Sequence, residues 1–260
     1  MSEPSVLFEV HNSVAHVTLN RPQAGNALDV EMAKELASVA LECESNREVR
    51  AVLLSGAGKS FCAGGDVKVF AAQQQLPRYL REITSYLHLA VSRFAHLDAP
   101  VIAAVHGPAA GGGFSLAISC DLVLAAESAT FLMAYSKIGM APDGGSTYFL
   151  PRLVGLKRAM ELTLTNRVLS AAEARDWGIV TEVVAGDNLA ARADELARAL
   201  AQGPTGAFGA AKRLLHGGWN QSLETQMELE SRAIAEAGST ADGQEGIRAF
   251  VEKRKAKFNG

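Results

Sequence analysis

Phe61-Cys62-Ala63-Gly64-Gly65-Asp66-Val67 stands between a short apolar run, residues 49–54, and a helical pattern. The order repeats downstream, where Val101–Val105 leads through His106-Gly107-Pro108 into Ala109-Ala110-Gly111-Gly112-Gly113-Phe114-Ser115-Leu116-Ala117. A buried strand, then small residues, then a helix, found twice, reads as an α/β fold. Leu122–Ala126 and residues 180–184 are two further buried strands in this reading. Residues 6–11 and 14–20 alternate apolar and polar positions around Asn12-Ser13, as a hairpin does. Asp29 is placed to cap a helix whose apolar positions Met32, Leu36, Val39 and Ala40 recur at helical spacing.

Helical patterns follow at 156–164 and 171–177, and beyond Asp187 no strand is expected. Four helices are read there, at 189–200, 208–216, 223–237 and 243–257, parted by Gly203-Pro204, Gly217-Gly218 and Gly238-Ser239. The chain therefore divides into an α/β core, 1–203, and a C-terminal helical region, 204–260.

With 260 residues, 48% of them hydrophobic and 20% charged, the chain has enough apolar material for a sizeable core. A net charge of −3 gives no global attraction to nucleic acid or to a membrane surface. No run approaches the roughly eighteen apolar residues a membrane span requires. Cys43, Cys62 and Cys120 are widely spaced and show no metal-ligand pattern, so no metal is expected and a reducing, cytoplasmic setting is. The first ten residues carry Glu3, Pro4 and Glu9 where a signal peptide has a basic start and an apolar run.

Small residues let a ligand reach the main chain, and N–H groups at a helix start stabilise negative charge. Gly56-Ala57-Gly58-Lys59-Ser60 looks like a phosphate loop, but that pattern requires glycine where Leu53 stands. The Gly111–Gly113 turn lacks the last glycine of a dinucleotide fingerprint, and no acidic residue follows at the expected distance. Two helix starts facing one point would instead form an oxyanion hole.

Together with Asn20-Arg21-Pro22, Asn26-Ala27-Leu28, Cys120-Asp121-Leu122 and the ending Phe250-Val251-Glu252-Lys253-Arg254-Lys255, these turns make the chain resemble the crotonase, or enoyl-CoA hydratase/isomerase, superfamily. The resemblance runs along nearly the whole chain. It implies a spiral of ββα turns with a C-terminal helical region, assembled as a homotrimer or a dimer of trimers. It implies an acyl-CoA thioester substrate, whose oxygen would be held by the N–H groups of Gly65 and Gly112 as it becomes an enolate. Coenzyme A is then part of the substrate, and no separate cofactor is expected.

Hydratases of this family use two glutamates, and the matching positions here are Ser115 and Tyr135. Neither is a useful base at neutral pH without strong activation. Asp143, in Ile138-Gly139-Met140-Ala141-Pro142-Asp143-Gly144-Gly145-Ser146-Thr147, matches the acidic position of some Δ3,Δ2-enoyl-CoA isomerases and of the ring-rearranging isomerase of phenylacetate breakdown. The expected reaction is thus isomerisation of a 3-enoyl-CoA, with Asp143 moving a proton from C2 to C4. From the residues alone, Asp143 also reads as an ordinary helix N-cap, and Asp66 likewise. Phe70, Phe114, Leu132, Met140 and Tyr148 are candidate wall residues, each also readable as core.

By the same resemblance, main-chain groups of Ala24 and Ala63 would meet the adenine, Lys68 the phosphates, and Phe250 with Lys253 a neighbouring subunit's nucleotide. Arg254 and Lys255 read better as a solvated helix face. Three other readings stay open: an enoyl-CoA hydratase; a hydrolase or dehalogenase in which Asp143 is the nucleophile, with His88 in the stretch where a histidine would assist; and a non-catalytic CoA-binding member.

Overall fold

The computed structural model describes residues 3–259. Strands β1 (Val6–His11) and β2 (Val14–Leu19) form the expected antiparallel hairpin. Asn12 and Ser13 turn it with φ of 52° and 63°, the backbone sense that matches the twist of paired strands. Helix α1 (Val30–Ser45) starts where Asp29 accepts a hydrogen bond from the Met32 N–H, as its position suggested. Then come β3 (Ala51–Gly56), the short α2 (Val67–Ala71) and the long α3 (Leu76–His96). Beyond them lie β4 (Val101–Val105), β5 (Pro108–Ala110), α4 (Gly112–Ile118), β6 (Leu122–Ala126) and β7 (Thr130–Leu132).

The chain continues through α5 (Ser146–Val154), α6 (Leu156–Thr165), β8 (Leu169–Ser170), α7 (Ala171–Asp176) and β9 (Glu182–Val184). It ends in α8 (Leu189–Ala201), α9 (Thr205–Gly217), α10 (Leu223–Ser239) and α11 (Ala241–Val251). The first sheet has the order β1-β2-β3-β4-β6-β9, parallel except for the hairpin, and the second has the order β5-β7-β8. Both faces of the first sheet are covered. Ala15, Val17, Val52 and Leu54 point into a core shared with α1 and α3, while Val14, Leu53, Ile102 and Leu124 meet Leu189, Ala193 and Ala197 of α8. That two-sided burial explains why the parallel strands read as continuous apolar runs.

Three expectations are corrected. The strand expected at 180–184 is confined to Glu182–Val184, because Val180 leaves the sheet to pack in the main core. The last helix ends at Val251 rather than near residue 257: Lys253 has φ 55°, and Arg254 folds back so that its guanidinium meets Glu245 and Glu252. Asp143 does not cap α5, whose N-cap is Gly145 with no side-chain bond. Only the main chain of Asp143 serves that helix start, its carbonyl accepting from Ser146 N–H and Ser146 Oγ.

Candidate active site

Three segments lie side by side at the carboxyl ends of β3 and β4, where open α/β sheets commonly bind ligands. Leu28 N–H donates to Gly64 O and Asp66 N–H donates to Leu28 O, a parallel bridge that leaves the N–H of Gly65 between them without a partner among the described residues. On the other side, Cys62 N–H donates to Pro108 O and Ala110 N–H to Cys62 O. Gly112 is the first residue of α4, so its N–H lies ahead of the helical bonding pattern. Each of these residues follows a glycine in a left-handed conformation, Gly64 at φ 94° and Gly111 at φ 50°. A side chain disfavours that backbone, which explains why glycine doublets occupy both turns.

The first turn is tied to neighbouring loops. Asp66 caps α2 by accepting from Val69 N–H at 3.2 Å, and its other oxygen is 3.0 Å from Arg21 Nη2. The same guanidinium lies 3.0 Å from the Asp29 carboxylate and donates to Ala27 O. Buried Asn26 completes the clamp, its amide donating to Ala57 O and Ser60 O at 2.8 Å each while its carbonyl accepts from Arg21 N–H. Within the Asn20-to-Leu28 motif, therefore, Arg21 and Asn26 hold loops in place, a role that sequence reading left unassigned.

Gly65, Gly112 and Asp143 all line one cavity of about 440 Å3. Leu28, Phe70, Ile83, Leu87, Ile138 and Met140 give it an apolar wall. Of the five expected wall residues, Phe70 and Met140 are there. Phe114 is fully buried core against Phe131, and Tyr148 meets Phe149 edge to face and lies under Arg152 elsewhere. Leu132 is half-buried and does not line the cavity either.

The Asp143 carboxyl accepts a 2.6 Å hydrogen bond from Tyr135 Oη, and that hydroxyl also lies 2.8 Å from Ser115 Oγ. Burial, with the Asp143 carboxylate beside it, holds the Tyr135 phenol well above its ordinary value. Tyr135 therefore stays a donor. The two positions where hydratases of the family carry glutamate thus hold neutral hydroxyls in contact with each other. Asp143 Oδ2 lies 3.9 Å from His88 Nε2, and that nitrogen accepts the Gly144 N–H at 3.2 Å. No cysteine among the described residues lines the cavity, and burial pushes the Cys62 thiol behind it up to about 12.

Among the expected coenzyme A contacts, Ala63 lines the cavity and sits against the Gly25 turn next to Ala24. The Ala63 N–H is engaged by Gly25 O and the Ala24 N–H by Arg21 O, and the Ala24 carbonyl accepts from Ala27 N–H at 3.2 Å, whereas the Ala63 carbonyl has no partner among the described residues. Lys68 is exposed on α2, and neither Phe250, 86% exposed, nor Lys253 lines the cavity.

Residues 9–260 match the enoyl-CoA hydratase/isomerase family. The chain belongs to that family. It is 40% identical to the 1,2-epoxyphenylacetyl-CoA isomerase of Escherichia coli K12, with 98% of each chain covered. It is 35% identical to a 4-chlorobenzoyl coenzyme A dehalogenase of an Arthrobacter species, over 91% of this chain and 87% of that one. An enoyl-CoA hydratase from Polaromonas superposes with a TM-score of 0.93 at 32% identity, covering 98% of this chain and 99% of the other. The crotonase fold expected from the sequence is therefore the fold observed. No helix among the described residues is long and apolar enough to cross a membrane.

Proposed function

We propose that this enoyl-CoA hydratase/isomerase family member is a Δ3,Δ2-enoyl-CoA isomerase of the 1,2-epoxyphenylacetyl-CoA isomerase type, with Asp143 as its proton shuttle. The observation that carries the reading is the state of the Asp143 carboxyl. It caps no helix, and it faces the same apolar cavity as Gly65 and Gly112. Ser115 and Tyr135 supply neither of the glutamates a hydratase uses, which supports migration over hydration.

In this mechanism the thioester oxygen accepts the N–H groups of Gly65 and Gly112. Asp143 takes a proton from C2 of a 3-enoyl-CoA, and the C–H electron pair spreads into a dienolate stabilised by those two donors. The same carboxyl returns the proton to C4 as the double bond settles between C2 and C3. The apolar wall keeps water away from the intermediate. Main-chain groups of Ala24 and Ala63 meet the adenine, Lys68 the phosphates, and Phe250 with Lys253 the nucleotide of an adjacent subunit in a trimer or a dimer of trimers. Exposed Leu215, Trp219, Leu223 and Met227 near the end of α9 and along α10 support such an assembly.

One observation favours a second reading. His88 beside Asp143, together with 35% identity to a 4-chlorobenzoyl coenzyme A dehalogenase, suits a nucleophilic carboxylate. Incubation with 3-hexenoyl-CoA, with crotonyl-CoA and with a 4-halobenzoyl-CoA separates the readings. Double-bond migration supports isomerisation. Hydration of crotonyl-CoA without migration sinks it, and release of halide or free thiol selects the nucleophilic route.

A further inference from the structure

We infer that Tyr135 is a positioning residue for Asp143: its phenol fixes one carboxylate oxygen, Oδ1, so that the other, Oδ2, carries the proton between C2 and C4. The inference rests on the isomerase reading above and deepens it.

The two oxygens of Asp143 differ in what surrounds them. Oδ1 accepts the Tyr135 hydroxyl at 2.6 Å, and among the described residues this is the only hydrogen-bond donor on that carboxylate. Oδ2 has no such partner; His88 Nε2 stands 3.9 Å away and already accepts from Gly144 N–H. A carboxylate bound at one oxygen keeps the lone pairs of the other for substrate. Left unbound, an aspartate carboxyl turns freely, because its terminal torsion is broad and roughly two-fold.

Tyr135 is fitted to hold that carboxyl. It begins the 3-10 turn Tyr135–Ile138, follows Ala134 at φ 58°, and its N–H donates to Met133 O at 2.7 Å, so its main chain is fixed. At the other end of the ring, Ser115 Oγ lies 2.8 Å from Tyr135 Oη and 3.2 Å from Gly111 O. Ser115 is fully buried in α4, the helix that begins at Gly112. The phenol therefore bridges the helix that presents one oxyanion donor and the carboxyl that moves the proton. A ring present only to fill space would need no hydroxyl aimed at Asp143.

The proton balance makes this testable. With both C2 hydrogens of 3-hexenoyl-CoA replaced by deuterium, one deuteron leaves C2 for Oδ2 and arrives at C4, unless it first exchanges with solvent. A fixed carboxyl delivers it; a swinging one loses it.

The experiment compares wild type, Tyr135→Phe and Ser115→Ala for kcat, KM, far-ultraviolet circular dichroism and the deuterium content at C4 of the product. We expect Tyr135→Phe to lose about tenfold or more in kcat, since small misplacements of reacting groups carry penalties up to a hundredfold. KM should hold and C4 labelling should fall, with a smaller change of the same kind in Ser115→Ala. A purely structural role lowers the rate through fewer active molecules and leaves C4 labelling at the wild-type value, which overturns the inference. If Tyr135→Phe does not fold, unchanged labelling in Ser115→Ala overturns it equally. No migration by the wild-type chain overturns the isomerase reading itself, an outcome distinct from migration with unaltered labelling in the variants.

Discussion

Gly64 and Gly111 meet backbone to backbone, so that a methyl group on Gly64 would lie 2.8 Å from Ala110 O and 3.4 Å from Gly111 Cα. The two turns that present Gly65 and Gly112 therefore share one contact. Gly64→Ala strains φ 94° and pushes the turns apart at once. Activity should fall by the hundred- to thousandfold typical of a lost oxyanion donor, with stability down by about 1–3 kcal/mol. Steady-state kinetics and a urea titration on the same preparation check both halves.

Asp143→Asn should separate chemistry from folding. The carboxyl caps no helix, and asparagine caps as well as aspartate in any case, so stability should hold. Isomerisation should drop by about 100- to 10,000-fold, the usual contribution of a general base. Unchanged turnover would place the base elsewhere and end the present assignment.

Arg21→Lys tests the loop clamp. One guanidinium spans Asp29 and Asp66, both of which cap helices, and an ammonium cannot serve both in the same geometry. We expect a loss of about 1.5–3 kcal/mol, the range for hydrogen bonds to charged groups. A larger decline in kcat/KM than in folded fraction should accompany it, because Asp66 directly follows Gly65. Equilibrium unfolding set beside kinetics measures the difference.

His216 gives a pH dependence of stability. Burial holds its imidazole below the ordinary value, outweighing the opposing pull of Asp121, and its ring meets Phe149 edge-on at 5.9 Å. A base whose folded value is depressed binds more protons unfolded than folded, so stability rises with pH. The His216 contribution is complete above about 6.5 and is lost as pH falls from there through the folded value. Melting temperatures between pH 7 and pH 5 should therefore decline in wild type and decline less in His216→Gln.

What the sequence made legible follows from the length scale of each signal. The hairpin at Asn12-Ser13, the caps Asp29 and Asp66, and the terminal helices all announce themselves within a few residues or over several turns. The sheet of β5, β7 and β8 has strands of two or three residues, too short to display alternation. Helix α3 begins at Leu76-Pro77 with no side-chain cap to mark its start. Around the cavity, Asp143 was found as an acidic residue where others were missing. Its link to Tyr135 was not, since the seven intervening residues turn at Gly139 and Pro142, and spacing along the chain then says nothing of where the two side chains point. Asp143-Gly144-Gly145-Ser146 reads as a cap from composition. A left-handed Gly145 takes that place instead and releases the carboxyl.

The chain Ser115–Tyr135–Asp143 has a consequence for how such a scaffold changes reaction. Three seats lie beside one electron sink, and here two hold hydroxyls and the third the carboxylate. Moving the carboxylate from one seat to another redirects where protons leave and land, while the vacated seats become its supports. The two halves of the catalyst are thereby free to diverge at different speeds: the sink bound by backbone contacts that tolerate no side chain, the seats by single substitutions.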